Sequence, residues 1–128
     1  MKTIAIILGL LLSLSSVSLK AADTGYYSFE PDITTNYIKA GKKLGYIRLT
    51  MEVMVADSRD LKYVSLHEPL LRAAVIEILG KQNEKQIKSL ENRPVIRKAC
   101  FDKINELLNQ EVGRPIAAQL LFTKYLHE

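Results

Sequence analysis

The sequence predicts an α+β domain: an antiparallel sheet with two helices packed on one face. Three observations predict it. Residues 44–55 alternate apolar and polar side chains, the mark of a strand with one buried and one wet face. Two later stretches repeat apolar residues at spacings of three and four, the mark of amphipathic helices. The order of elements is strand, strand, helix, polar connection, helix, strand, which argues against an alternating βαβ sheet.

The first 22 residues, MKTIAIILGLLLSLSSVSLKAA, stand apart. Lys2 gives a short positive start, Thr3–Leu14 is almost wholly apolar, and small residues follow. This is the layout of a bacterial-type secretory signal. Cleavage after Ser18 suits the preference for small residues better than cleavage after Ala22, which would put Lys20 three positions back. A retained single-span anchor is the alternative, because residues 3–19 carry no charge. Both readings place residues 23–128 outside the cytoplasm as one domain.

Residues 23–43 read as loop-like at both ends, around an aromatic cluster, Tyr26, Tyr27 and Phe29, that leads into Glu30-Pro31. Pro31 restricts Glu30 to extended backbone. Ile33–Ile38 is rich in β-branched and aromatic residues and predicts a strand. Ala40-Gly41-Lys42-Lys43 predicts a hairpin turn into the strand Leu44–Val55. In that strand Ile47, Leu49, Met51, Val53 and Val55 would face a core, with Tyr46, Arg48, Thr50 and Glu52 between them.

Leu66, Leu70, Leu71, Ala74, Val75, Ile78 and Leu79 predict a helix ended by Gly80. Pro69 suits its first turn, and Ser65 with Glu68 reads as a capping box. Lys81–Arg93 is the most polar run and reads as a solvated surface connection with one helical turn at most. Asn92 and Pro94 suit the start of a second helix. Ile96, Ala99, Cys100, Ile104, Leu107 and Leu108 form its apolar stripe. After Gly113-Arg114-Pro115, residues 116–127 predict a strand with Leu120, Phe122 and Leu126 on one face.

Composition narrows the function. The formal charge is +4, but Lys2 and Lys20 belong to the N-terminal segment, leaving sixteen basic against fourteen acidic residues. So small an excess does not argue for nucleic acid. The single cysteine, Cys100, has no partner for an internal disulfide and reads as a buried, inert thiol. His67 and His127 are the only histidines, and no Cys-x-x-Cys, G-x-S-x-G or glycine-rich phosphate loop occurs. No catalytic residue, metal ligand or cofactor site is predicted, and the chain reads as non-enzymatic. His67 reads as a local hydrogen-bonding residue at a helix start; a pH-sensitive contact is the sharper alternative. Asp57, Asp60, Glu84, Glu91 and Asp102 read as solvated or capping acids rather than as paired catalytic carboxylates.

Five segments, in order, resemble the flagellar basal-body-associated FliL family. They are Tyr27-Ser28-Phe29-Glu30-Pro31, Tyr46-Ile47-Arg48-Leu49-Thr50-Met51-Glu52-Val53, His67-Glu68-Pro69-Leu70-Leu71-Arg72-Ala73-Ala74-Val75-Ile76, Ile104-Asn105-Glu106-Leu107-Leu108 and Leu121-Phe122-Thr123-Lys124-Tyr125-Leu126. The resemblance implies a fold akin to stomatin and prohibitin domains. It also implies an inner-membrane protein facing the periplasm, or a soluble periplasmic one if the N-terminal segment is cleaved. The implied partners are flagellar stator and basal-body proteins and further copies of the chain, in support of stator function, motility and chemotaxis-related rotation. Tyr46, Arg48, Glu52 and Arg72 are candidates for association surfaces, as is an exposed edge strand. The isolated domain is predicted to be monomeric or weakly associating. The alternative function is a periplasmic binding or adaptor module unrelated to flagella.

Overall fold

In the computed structural model the described residues are 23–128; the predicted export or anchor segment, residues 1–22, lies outside them. Four strands, β1 (Gly25–Ser28), β2 (Ile33–Ile38), β3 (Leu44–Val55) and β4 (Ala117–His127), make one open antiparallel sheet. Four helices, α1 (Leu61–Leu66), α2 (Glu68–Gly80), α3 (Glu84–Lys88) and α4 (Arg93–Val112), accompany it. The α+β prediction holds, and α2 and α4 are the two main helices, packed on β2 and β4.

β3 is the organising strand. β2 pairs with its first half, Leu44–Leu49, and β1 with its last residues, Glu52–Val55. β4 runs along the opposite side of β3. The alternation read from sequence is realised in full: Ile47, Leu49, Met51, Val53 and Val55 have no exposed surface. They meet Leu71, Val75 and Leu79 of α2 and Ile96, Cys100, Ile104 and Leu108 of α4 in one core. Each such aliphatic side chain contributes about 1.5–3 kcal/mol by leaving water.

Several sequence expectations need correction. One strand is not predicted from the sequence: Gly25–Ser28 is β1, which takes in Tyr26 and Tyr27 of the aromatic cluster and is too short for its own periodic signal. The predicted helix over residues 66–79 starts earlier and is broken at His67, so Ser65 lies inside α1 and caps nothing. Leu66 and Leu70 are consequently turned outward, 71% and 39% exposed. The polar run does hold one helical turn, α3, opened by a capping box of Asn83 and Gln86. Asn92 precedes α4 but its side chain does not cap it; Nδ2 donates to the Gln86 carbonyl instead, 3.1 Å away. Ala99 is exposed and leaves the stripe of α4; Ile96, Cys100, Ile104 and Leu108 are buried in it, and Leu107 packs half-buried against the same core.

The strand β4 carries the most informative correction. Lys124 pairs with Thr50 but Phe122 with Met51, so Thr123 is an extra residue, and Ala118 is extra in the same way. Each bulge inverts the facing of the residues beyond it. Tyr125, opposite Leu49, therefore turns to the helices, and Leu126, opposite Arg48, turns out and is 52% exposed. Gly113, with φ of 93°, closes α4 in the left-handed conformation that favours glycine.

Candidate functional site

Two of the segments singled out in the sequence meet in space. Tyr27 on β1 donates its hydroxyl hydrogen to Glu68 at the start of α2. Arg72, one turn on, donates to the other Glu68 oxygen at 2.6 Å and to the Pro31 carbonyl at 2.9 Å. Its guanidinium lies 5.8 Å from the Phe29 ring centroid, and Phe29 stands edge-on to Tyr27. Burial alone would push the Glu68 carboxyl up, but the hydrogen bonds from Tyr27 and Arg72 outweigh it and hold it below the usual range. Tyr27 is raised by burial and by Glu68. Both carboxylate oxygens are thus engaged. The cluster fastens the β1–β2 connection to α2 and leaves no free general base.

Three more joints have the same character. Asn105 of α4 brackets Ala117, its amide donating to the Ala117 carbonyl and its oxygen accepting from the Ala117 N–H, both at 2.9 Å. Arg97 donates to the Leu120 carbonyl at 3.3 Å. These contacts occupy backbone groups of β4, and with the two bulges they interrupt the edge that the sequence offered as a pairing site. Tyr125 donates to the Ile87 carbonyl at 2.8 Å under the Arg93 guanidinium, 4.3 Å from the ring centroid.

Of the association candidates, Tyr46, Arg48 and Glu52 share the sheet face away from the helices, where Tyr46 is 54% exposed. Asp32 accepts from Arg48 Nε and from Thr50 Oγ1, each at 2.9 Å, and Ser28 donates to Glu52 at 3.0 Å. Arg72 is not with them; it is committed to Glu68, Pro31 and Phe29. A shallow hollow on the uncovered face, between Thr34, Tyr46, Arg48 and Leu126, is mostly apolar.

The chemistry-bearing residues are not assembled. His67 is the break between α1 and α2, and His127 lies on β4 against Tyr125. Cys100 is fully buried, and burial pushes its thiol up to about 12, far from a reactive thiolate. Among the described residues no three His, Cys, Asp or Glu side chains are grouped to hold a metal ion. Sequence reasoning missed Asp32, Asn105 and Arg93. Each acts on a partner more than ten residues away, so local pattern carried no signal for them.

The fold and its joints define a class: a two-layer α+β module whose distinctive sequence segments fasten sheet to helices. The chain belongs to the FliL family, since the model of the flagellar basal body-associated protein FliL matches residues 26–127. That span takes in all the described helices and all the strands but Gly25. The flagellar protein FliL of Aquifex aeolicus (strain VF5) is 26% identical over 84 residues, covering 66% of this chain and 52% of that protein. The chain thus spans about half the length of the curated relative it matches. Family membership supports a flagellar reading and does not favour an adaptor unrelated to flagella. Among the described residues no helix is long and apolar enough to cross a membrane.

Proposed function

We propose that this chain is a non-catalytic accessory of the flagellar motor that supports the stator units, and through them motility and chemotaxis-related rotation. The observation that carries the reading is the family match across residues 26–127, over nearly the whole sheet and its helices. The joints at Glu68, Arg72 and Asn105 support it, because they fall in the segments that resemble the family and are structural in kind. In this reading residues 1–22 export the chain and either leave it soluble in the periplasm or hold it in the inner membrane. Residues 23–128 then form a periplasmic domain, akin to stomatin and prohibitin domains, that associates with stator proteins and with further copies of itself.

Deleting the gene in its native host tests this. The account expects swimming or swarming under load to fall, restoration by the full chain, and a tagged chain that localises to basal bodies. Unimpaired motility under load together with no basal-body localisation overturns it.

A further inference from the structure

The fold brings together two basic stretches that lie far apart in the chain. The β2–β3 hairpin contributes Lys39, Lys42 and Lys43, and α3 contributes Lys85 and Lys88. They are joined by a backbone bridge between Ile38 and Asn83 and by the Ala40 N–H, which donates to the Glu84 carboxylate at 3.1 Å. Lys39, Lys85 and Lys88 line one depression between the hairpin and α3, with Ile38 in its wall. In sequence, the run containing Lys85 and Lys88 reads as a solvated face because acids interrupt it. In the fold it gains a second basic wall.

The charges at this tip are poorly balanced. Glu84 pairs with Lys88 at 2.7 Å, whereas none of the ion pairs among the described residues engages Lys39, Lys42, Lys43 or Lys85. Among the described residues, Glu128 also reaches this end of the sheet, where its backbone pairs with Tyr46. Gly41 and Lys42, with φ of 77° and 61°, form the tight turn of this hairpin. Ile38 and Leu44, opposite each other at the hairpin base, are 61% and 68% exposed.

We propose that this tip is a docking surface for an acidic segment of a partner protein. Its carboxylates would lie between Lys39 of the hairpin and Lys85 and Lys88 of α3, beside Glu84, which is already paired with Lys88, and its apolar side chains against Ile38 and Leu44. A protein segment fits better than a lipid surface because the lysines flank a hollow, which an extended chain can enter and a flat bilayer cannot. Lysine ammoniums are strongly hydrated point charges, so the attraction governs encounter and salt dependence more than tight affinity. The inference stands on the tip's geometry and charge and does not depend on the flagellar reading.

Poly-L-glutamate is the probe, titrated into the full chain at low and high salt. Lys39→Glu with Lys85→Glu reverses the two unpaired lysines that line the hollow, and Lys98→Glu with Lys103→Glu on α4 is the charge-matched control. Circular dichroism checks that each variant is folded. The proposal predicts salt-sensitive binding that tip reversal weakens about tenfold and the control about twofold or less. Amide resonances of residues 38–44 and 83–88 should shift on binding. No binding at low salt, or equal weakening by both pairs, overturns it. Vesicles containing phosphatidylglycerol are the second arm. A loss of vesicle binding on tip reversal that exceeds the loss of poly-L-glutamate binding also overturns it.

Discussion

The two ends of β3 lie about 40 Å apart at the usual rise per strand residue and treat charge in opposite ways. At the Val55 end two acids are each matched by an arginine, Asp57 by Arg59 and Asp60 by Arg114. Asp57 accepts from the Arg59 backbone and side chain, and Arg114 grips Asp60 with two bonds of 2.9 and 2.6 Å while stacking on Tyr63. At the Leu44 end lysines face one another with a single paired carboxylate among them. The matched end behaves like a structural joint, since geometry satisfies each acid. The unmatched end keeps Lys39, Lys42, Lys43 and Lys85 outside any ion pair among the described residues, which is the charge the proposed acidic partner would meet. What separates the ends is therefore pairing rather than the number of charges.

The sharpest way to break the comparison is through two glycines, one at each end. A Cβ on Gly45 would lie 2.4 Å from the Tyr37 ring, which is buried and tied by its hydroxyl to the Glu128 carbonyl. That ring has nowhere to go, so Gly45→Ala should cost about 3 kcal/mol in urea unfolding. A Cβ on Gly25 would meet Leu61 Cδ1 at 2.8 Å, the end of a flexible half-buried side chain, and the Ser58 backbone less closely at 3.1 Å. Gly25→Ala should therefore cost about 1 kcal/mol in the same measurement. Equal costs would mean that the two ends are packed alike.

A smaller effect comes with acid. The side-chain hydrogen bond from Arg59, with its backbone N–H, holds Asp57 down to about 2, and the hydrogen bonds from Arg114 likewise lower Asp60. A carboxyl lowered on folding stabilises above its unfolded pKa, and that contribution fades as pH falls through the folded value. Amide protection factors near Arg59 and Arg114, taken against the intrinsic exchange rate at each pH, should therefore fall between about pH 4 and about 2. Asp57→Asn with Asp60→Asn should flatten that dependence.

The same contrast explains how much of the molecule could be read from its sequence. β3, the apolar faces of α2 and α4, and the α+β class were legible because burial repeats at fixed periods there. β1 was not, because four residues offer too little alternation and its strand character comes from pairing with Glu52–Val55. The bulges at Ala118 and Thr123 were invisible as well, so Leu126 looked inward although Tyr125 takes that place. In the candidate site, Glu68 and Arg72 are one helical turn apart, a spacing plain in the sequence. Tyr27 and Pro31, their partners from 41 residues away, could be found only in the fold. The basic tip was half legible: both lysine stretches could be seen, but not that one parallel bridge sets them side by side.

Complementation of a deletion strain tests most directly the claim that the two ends differ in role. One variant carries Lys39→Glu and Lys85→Glu at the tip; the other carries Asp60→Asn and Arg114→Gln at the matched end. With both chains folded and equally abundant, motility under load should be lost with the tip variant and restored by the other. Full restoration by the tip variant, or equal loss with both, would contradict the account.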